Sequence, residues 1–223
     1  MSFFKTLQTA TEADRAQLLG CSLVSDALEG RMSKEQYAAF LCQAYHHVKH
    51  TVPLFMAVGS RFRDDQEWLR VAVAEYVQEE IGHQEWILND IAACGFDPEK
   101  ARHSLPNRAT QLMVGYGYHV ADRLNPLGFF GMVHVLEGTS ISVADNAAAA
   151  IALSTGLPKN AFSYLSSHGA LDIEHVKFFQ DLMNKIESEK DQQWIIHCAK
   201  TFYHLYAEVF RSVGSEQALL LTA

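Results

Sequence analysis

The chain has 223 residues, 26 of them acidic against 18 basic for a formal charge of −8, and no basic run; this excludes the phosphate neutralisation on which nucleic-acid and anionic-membrane binding depend. With 48% hydrophobic residues it is expected to fill one core, residues 1–223 forming a single helical domain. The longest unbroken apolar stretch, residues 147–153, is far short of the ~20 residues of a membrane span, and the acid-bearing N-terminus lacks a signal peptide's apolar region, so a cytoplasmic protein is expected.

Apolar residues recur at spacings of three and four, with no sustained alternation of period two, and this pattern predicts an all-α fold. Helices are expected over residues 11–28, 33–63, 64–94, 105–123, 126–150, 159–187 and 190–213. Gly30 ends the first, and Ser33 with Gln36 has the form of a capping box for the second. Pro53 removes a backbone donor inside the second helix and predicts a kink near Lys49. Gly95 and Asp97-Pro98 stop the third, Asn125-Pro126 starts the fifth, and Gly156 with Pro158 separates it from the sixth. There is no repeat or linker to divide domains, so seven helices make one bundle. The fifth is apolar almost all round and should be its central helix, where a charge is expensive.

Several charges nevertheless fall on apolar faces. At 100° per residue, Leu69, Val73, Tyr76, Glu80 and Ile87 lie within roughly 40° of one line on the third helix, with His83 about 60° to one side. On the sixth, His168, Asp172 and His175 share a stripe with Tyr164, Phe179, Leu182 and Ile186. On the central helix Glu137 follows the line of Phe130, Val133, Ile141 and Ala144. Buried carboxylates need compensating positive charge. No Lys or Arg lies on these faces, whereas a metal pair would supply the charge and take the imidazoles as neutral ligands. Glu80-x-x-His83 and Asp172-x-x-His175, joined by Glu137 and His168, approximate the carboxylate and histidine pattern of di-iron helical bundles.

The remaining candidates are less marked. His46, His47 and His50 precede the Pro53 kink, and one of them is a candidate to orient a ligand. His134 stands one turn before Glu137 and is placed to hydrogen-bond to it; His103, His119, His197 and His204 read as surface or packing residues. Tyr76 and Tyr164, each a turn from a candidate ligand, either pack or donate a hydrogen bond to a reacting oxygen. The four cysteines, Cys21, Cys42, Cys94 and Cys198, have no CxxC spacing and read as buried small apolar residues.

The HVLEGTS segment around Glu137 and the SHGALDIEH segment around His168 resemble the haem-oxygenase-like di-iron oxidases and oxygenases, in the superfamily that includes TenA thiaminases and pyrroloquinoline-quinone synthase. The order and approximate spacing of E-x-x-H, lone Glu and H-x-x-x-D-x-x-H agree over most of the chain. The resemblance implies a seven-helix haem-oxygenase-like bundle, often a homodimer, with Glu80, His83, Glu137, His168, Asp172 and His175 as ligands to two irons, and O2 used on a small substrate such as an amino acid or fatty acid. Where some members carry a further carboxylate this chain has Val73 and Tyr76, so the second iron is expected to be held more weakly. Ala147 stands near the lysine of the p-aminobenzoate-forming members, no Cys lies between Cys94 and Cys198 to serve as a thiaminase nucleophile, and the first histidine, His46, comes too late for a haem oxygenase's proximal ligand. The expected function is therefore an O2-dependent non-haem di-iron oxidase or oxygenase acting on a small carboxylate-bearing metabolite, with Lys49 or Arg123 as the only evident cations for its carboxylate. The alternatives are a cofactor-independent oxidase of the pyrroloquinoline-quinone-synthase type and a non-catalytic metal-binding helical dimer.

Overall fold

The computed structural model describes residues 2–213, the side chains of residues 141–142 and 167–175 excepted. Among the described residues the regular structure is helical throughout, in twelve α-helices: α1 (Phe3–Ala10), α2 (Glu12–Leu19), α3 (Ser22–Leu28), α4 (Lys34–Val48), α5 (Thr51–Gly59), α6 (Glu67–Glu80), α7 (His83–Ala93), α8 (Pro98–His103), α9 (Arg108–Arg123), α10 (Phe129–Thr155), α11 (Ser163–Asn184) and α12 (Glu189–Arg211).

The expected all-α bundle is present, and seven helices become twelve because three expected ones are each broken in two and two short helices, α1 and α8, form outside the expected ranges. The chain bends at Thr11, whose hydroxyl turns back to Leu7 O (2.8 Å), and again at Gly20-Cys21, splitting the N-terminal region into α1, α2 and α3. Pro53 separates α4 from α5 at Lys49-His50, as its missing N–H requires. Ser33 and Gln36 form the expected capping box, with bonds of 3.2 and 3.0 Å. The third expected helix breaks between Glu80 and His83, which bears directly on the site.

α10 is the central helix and packs against α3, α9, α11 and α12. Its contact with α12 is backbone to backbone: a Cβ on Gly131 would stand 2.6 Å from Ala199 N, so only glycine fits there. Further along, Thr139 Oγ1 donates to Val135 O (2.6 Å) and Ser140 Oγ to Glu137 O (3.0 Å), the type of back-bonding that bends helices. The pieces Pro126–Ser140 and Val143–Thr155 meet at 44°. Among the described residues no single helix is long and apolar enough to cross a membrane. All four cysteines are buried and free, as expected.

Candidate metal centre

Glu80 is the last residue of α6 and His83 the first of α7. Between them Ile81 is extended and Gly82 takes φ +95°, a left-handed conformation that side-chain-bearing residues avoid. The expected continuous helix over residues 64–94 is therefore wrong at this point, and a helical wheel cannot be carried across the break. The two side chains meet all the same: His83 Nδ1 is 3.0 Å from Glu80 Oε2, both largely withdrawn from solvent. The His83 ring stacks on Trp86 with centroids 4.0 Å apart.

Tyr76, one turn before Glu80, is buried and stacks on Phe55 at 4.8 Å. Burial and then the Glu137 carboxylate beside it push its hydroxyl well above the ordinary tyrosine range, so Tyr76 stays a phenol next to that carboxylate. Tyr76, Glu80, Glu137 and Tyr164 line a common cavity of about 140 Å³, walled mainly by aliphatic and aromatic side chains such as Leu54, Phe129, Met132 and Val133. No Lys or Arg is among the described residues that line it.

Tyr164 is held in place by an acid on another helix. Asp90 of α7, fully buried, accepts from Ser163 N (3.0 Å), Ser163 Oγ (2.5 Å) and Tyr164 N (2.8 Å), capping α11 from outside. Burial raises the Asp90 carboxyl, and these hydrogen bonds oppose that rise. Asp90 thus ties the helix that begins with His83 to the helix that carries residues 168–175. The side chains of His168, Asp172 and His175 lie outside the described residues; α11 runs through all three positions. Among the described residues, no three His, Cys, Asp or Glu side chains come together as a metal-binding group.

The other histidines separate clearly. His46 Nε2 is 2.8 Å from Ser104 Oγ and its Nδ1 is 3.1 Å from Lys49 Nζ, a tie between α4 and the end of α8. His50 pairs with Tyr118 Oη at 3.0 Å. Only His47 of the three lines the cavity, edge-on to Tyr206, and the sequence alone could not choose among them. His134 does not make its expected bond to Glu137: its Nε2 is 3.2 Å from Thr11 Oγ1, at the bend between α1 and α2. His103, His119, His197 and His204 are exposed, as expected. Lys49 is engaged with His46 and the Tyr45 ring, Arg123 is exposed, and neither lines the cavity, so neither serves as its cation. Asp90 and Arg15, discussed below, escaped sequence reading.

Residues 38–207 match the profile of a family described as iron-containing redox enzymes. The chain belongs to that family. Similar solved structures include a domain of unknown function with a heme oxygenase-like fold from Shewanella denitrificans OS217, at 22% identity and TM-score 0.86, covering 96% of this chain and 92% of that one. A TenA homologue from Pseudomonas syringae pv. tomato DC3000 aligns at 12% identity and TM-score 0.75 over 97% and 92% of the two chains. Heme oxygenase from Leptospira interrogans aligns at 14% and 0.73 over 95% and 99%. At these identities the structural matches establish the haem-oxygenase-like fold alone. No curated protein sequence matches the chain.

Proposed function

We propose that this iron-containing redox family member is a non-haem di-iron oxidase or oxygenase that uses O2 on a small carboxylate-bearing metabolite, an amino acid or a fatty acid. The observation that carries the reading is the convergence of Glu80, Glu137 and Tyr76 on one apolar cavity, with His83 set against Glu80. Two carboxylates and an imidazole suit iron as hard and borderline donors, and carboxylates with so little access to water call for a cation. His168, Asp172 and His175 of α11 are the further ligands proposed. Haem is the poorer fit, since His46, the first histidine, is already committed to Ser104 and Lys49.

Bound iron would supply the activation of O2. The protein's own part is positioning and exclusion. Glu137 is oriented by the Tyr76 hydroxyl, which keeps its proton there because burial and the neighbouring carboxylates disfavour its anion. The aromatic and aliphatic walls exclude water and take an alkyl segment of the substrate. Tyr164, fixed through the Asp90 cap, is the second proposed proton-bearing group at the cavity wall. A homodimer in the cytoplasm completes the proposal.

Purified protein titrated anaerobically with Fe(II) is expected to take up close to two per chain. Glu137→Ala and His175→Ala should each lower that number, and iron-dependent O2 consumption should rise with the substrate. Wild-type iron uptake in both variants would remove the site assignment.

A further inference from the structure

A second cavity, of about 170 Å³, also touches Glu137, the one described residue that lines both cavities. It is built differently. Phe4 and Gln8 of α1, Arg15 of α2, His134 of α10, Phe179 of α11 and Tyr203 of α12 contribute to its wall. Arg15 is the only Lys or Arg among the described residues lining either cavity. It is half-buried, and its side chain makes no hydrogen bond or ion pair with any described residue.

Its side chain lines this chamber beside His134 and Tyr203, and its charge lowers the pKa of both, though in each case burial has the larger effect. Burial first, then Arg15, hold His134 down to about 4, so the ring is neutral near pH 7 and adds no second cation. Tyr203 is 1% exposed, and its hydroxyl lies beside Thr11, whose own proton goes to Leu7 O (2.8 Å). The chamber thus offers a guanidinium, a phenol and the Gln8 amide as donors, with Phe4, Val176 and Phe179 as apolar wall. Two acids bound the choice of ligand: Glu137 at the wall, and Asp14, whose charge also reaches Tyr203. A ligand anion is drawn to Arg15 and repelled by Glu137, so its charged end and its carbon chain are sorted in a fixed direction.

We propose that this chamber binds a small monocarboxylate, its carboxylate on Arg15 and Tyr203 and its carbon chain directed toward Glu137. The site supplies the anchoring cation that the apolar cavity lacks. Its place in turnover rests on the oxidase reading above; the binding itself does not.

Calorimetric titration of the full-length protein, both iron-loaded and chelated, with butyrate and with its uncharged counterpart butyramide tests the site. Butyrate should bind, and butyramide at least about tenfold more weakly, because the charge-assisted bonds to Arg15 are lost. Arg15→Gln should lose about tenfold or more in butyrate affinity without changing butyramide, and Arg15→Lys should recover part of it. Tyr203→Phe, which keeps the guanidinium, should bind butyrate several-fold more weakly and decides the matter if circular dichroism shows Arg15→Gln unfolded. No butyrate binding, equal affinity for the two ligands, or wild-type butyrate affinity in the folded variants overturns the site. Butyrate binding through Arg15 in a protein that takes up no iron would remove the oxidase reading and leave this site standing; iron uptake without Arg15-dependent binding would do the reverse.

Discussion

Two regions of the molecule bury carboxylates, and they do so by different means. Asp90 is fully buried in α7, yet its two oxygens accept three hydrogen bonds from Ser163 and Tyr164 at the first turn of α11. Glu80 and Glu137 face a cavity, one beside an imidazole and the other beside a phenol. An acid that the protein satisfies with backbone N–H groups at a helix N-terminus is a structural tie. An acid that opens onto a cavity is within reach of whatever enters it. The difference shows that burial alone does not single out a candidate metal ligand.

The largest effect should come from Asp90. Asp90→Ala strands the N–H groups of Ser163 and Tyr164 and frees the start of α11, at a cost of about 3 kcal/mol or more. Urea unfolding of the iron-free protein measures this directly. A variant as stable as wild type would break the distinction between the two regions. Glu137→Gln should behave in the opposite way: the amide keeps the side chain's volume and an oxygen beside Tyr76, a half-buried charge is removed, and the iron-free protein should stay within about 1 kcal/mol of wild type or gain stability. Its iron uptake should fall. Chelation should therefore lower the melting temperature of the iron-loaded wild type while barely moving that of Glu137→Gln. Loss of stability in iron-free Glu137→Gln equal to that of Asp90→Ala would mean that both acids are structural.

The sequence makes some of this legible and hides the rest, for physical reasons. The helical class follows from the 3.6-residue period, and the break near Lys49 from Pro53, because both are local properties of the chain. Gly82 lies in an otherwise helical pattern that tolerates a single glycine, and only its positive φ shows that α6 and α7 are separate helices. The wheel placed Glu80 on a buried face because α6 is continuous up to it; it could not place His83, which reaches Glu80 across a turn. Asp90 has its partners 73 and 74 residues away, beyond any local pattern. Arg15 sits in EADRAQLL, a segment that reads as an ordinary solvated helix, and its exposure to a cavity appears only once α1, α10 and α12 are packed around it.

The smallest effect concerns the imidazole that shares the chamber with Arg15. His134 has a folded pKa of about 4 against an ordinary 6.5, lowered by burial and then by Arg15. Between those values the unfolded chain binds the proton and the folded one does not, so stability rises with pH through this window and is lost as pH falls from 6.5 toward 4. The loss from His134 should reach up to about 3 kcal/mol near pH 4. His46, also held at about 4 by burial and then by Lys49 and His50, adds in the same direction. Asp90, whose carboxyl is raised above 3.8, runs the other way and favours the folded state as pH falls through its own range. His134→Gln should accordingly flatten, without abolishing, the slope of unfolding free energy between pH 6.5 and 4. Arg15→Gln should do so more weakly, because only the secondary of the two causes is removed and burial remains. A slope unchanged in His134→Gln would mean that the ring takes up its proton at the same pH folded as unfolded, and only below about 6.5 would the chamber then hold two cations instead of one.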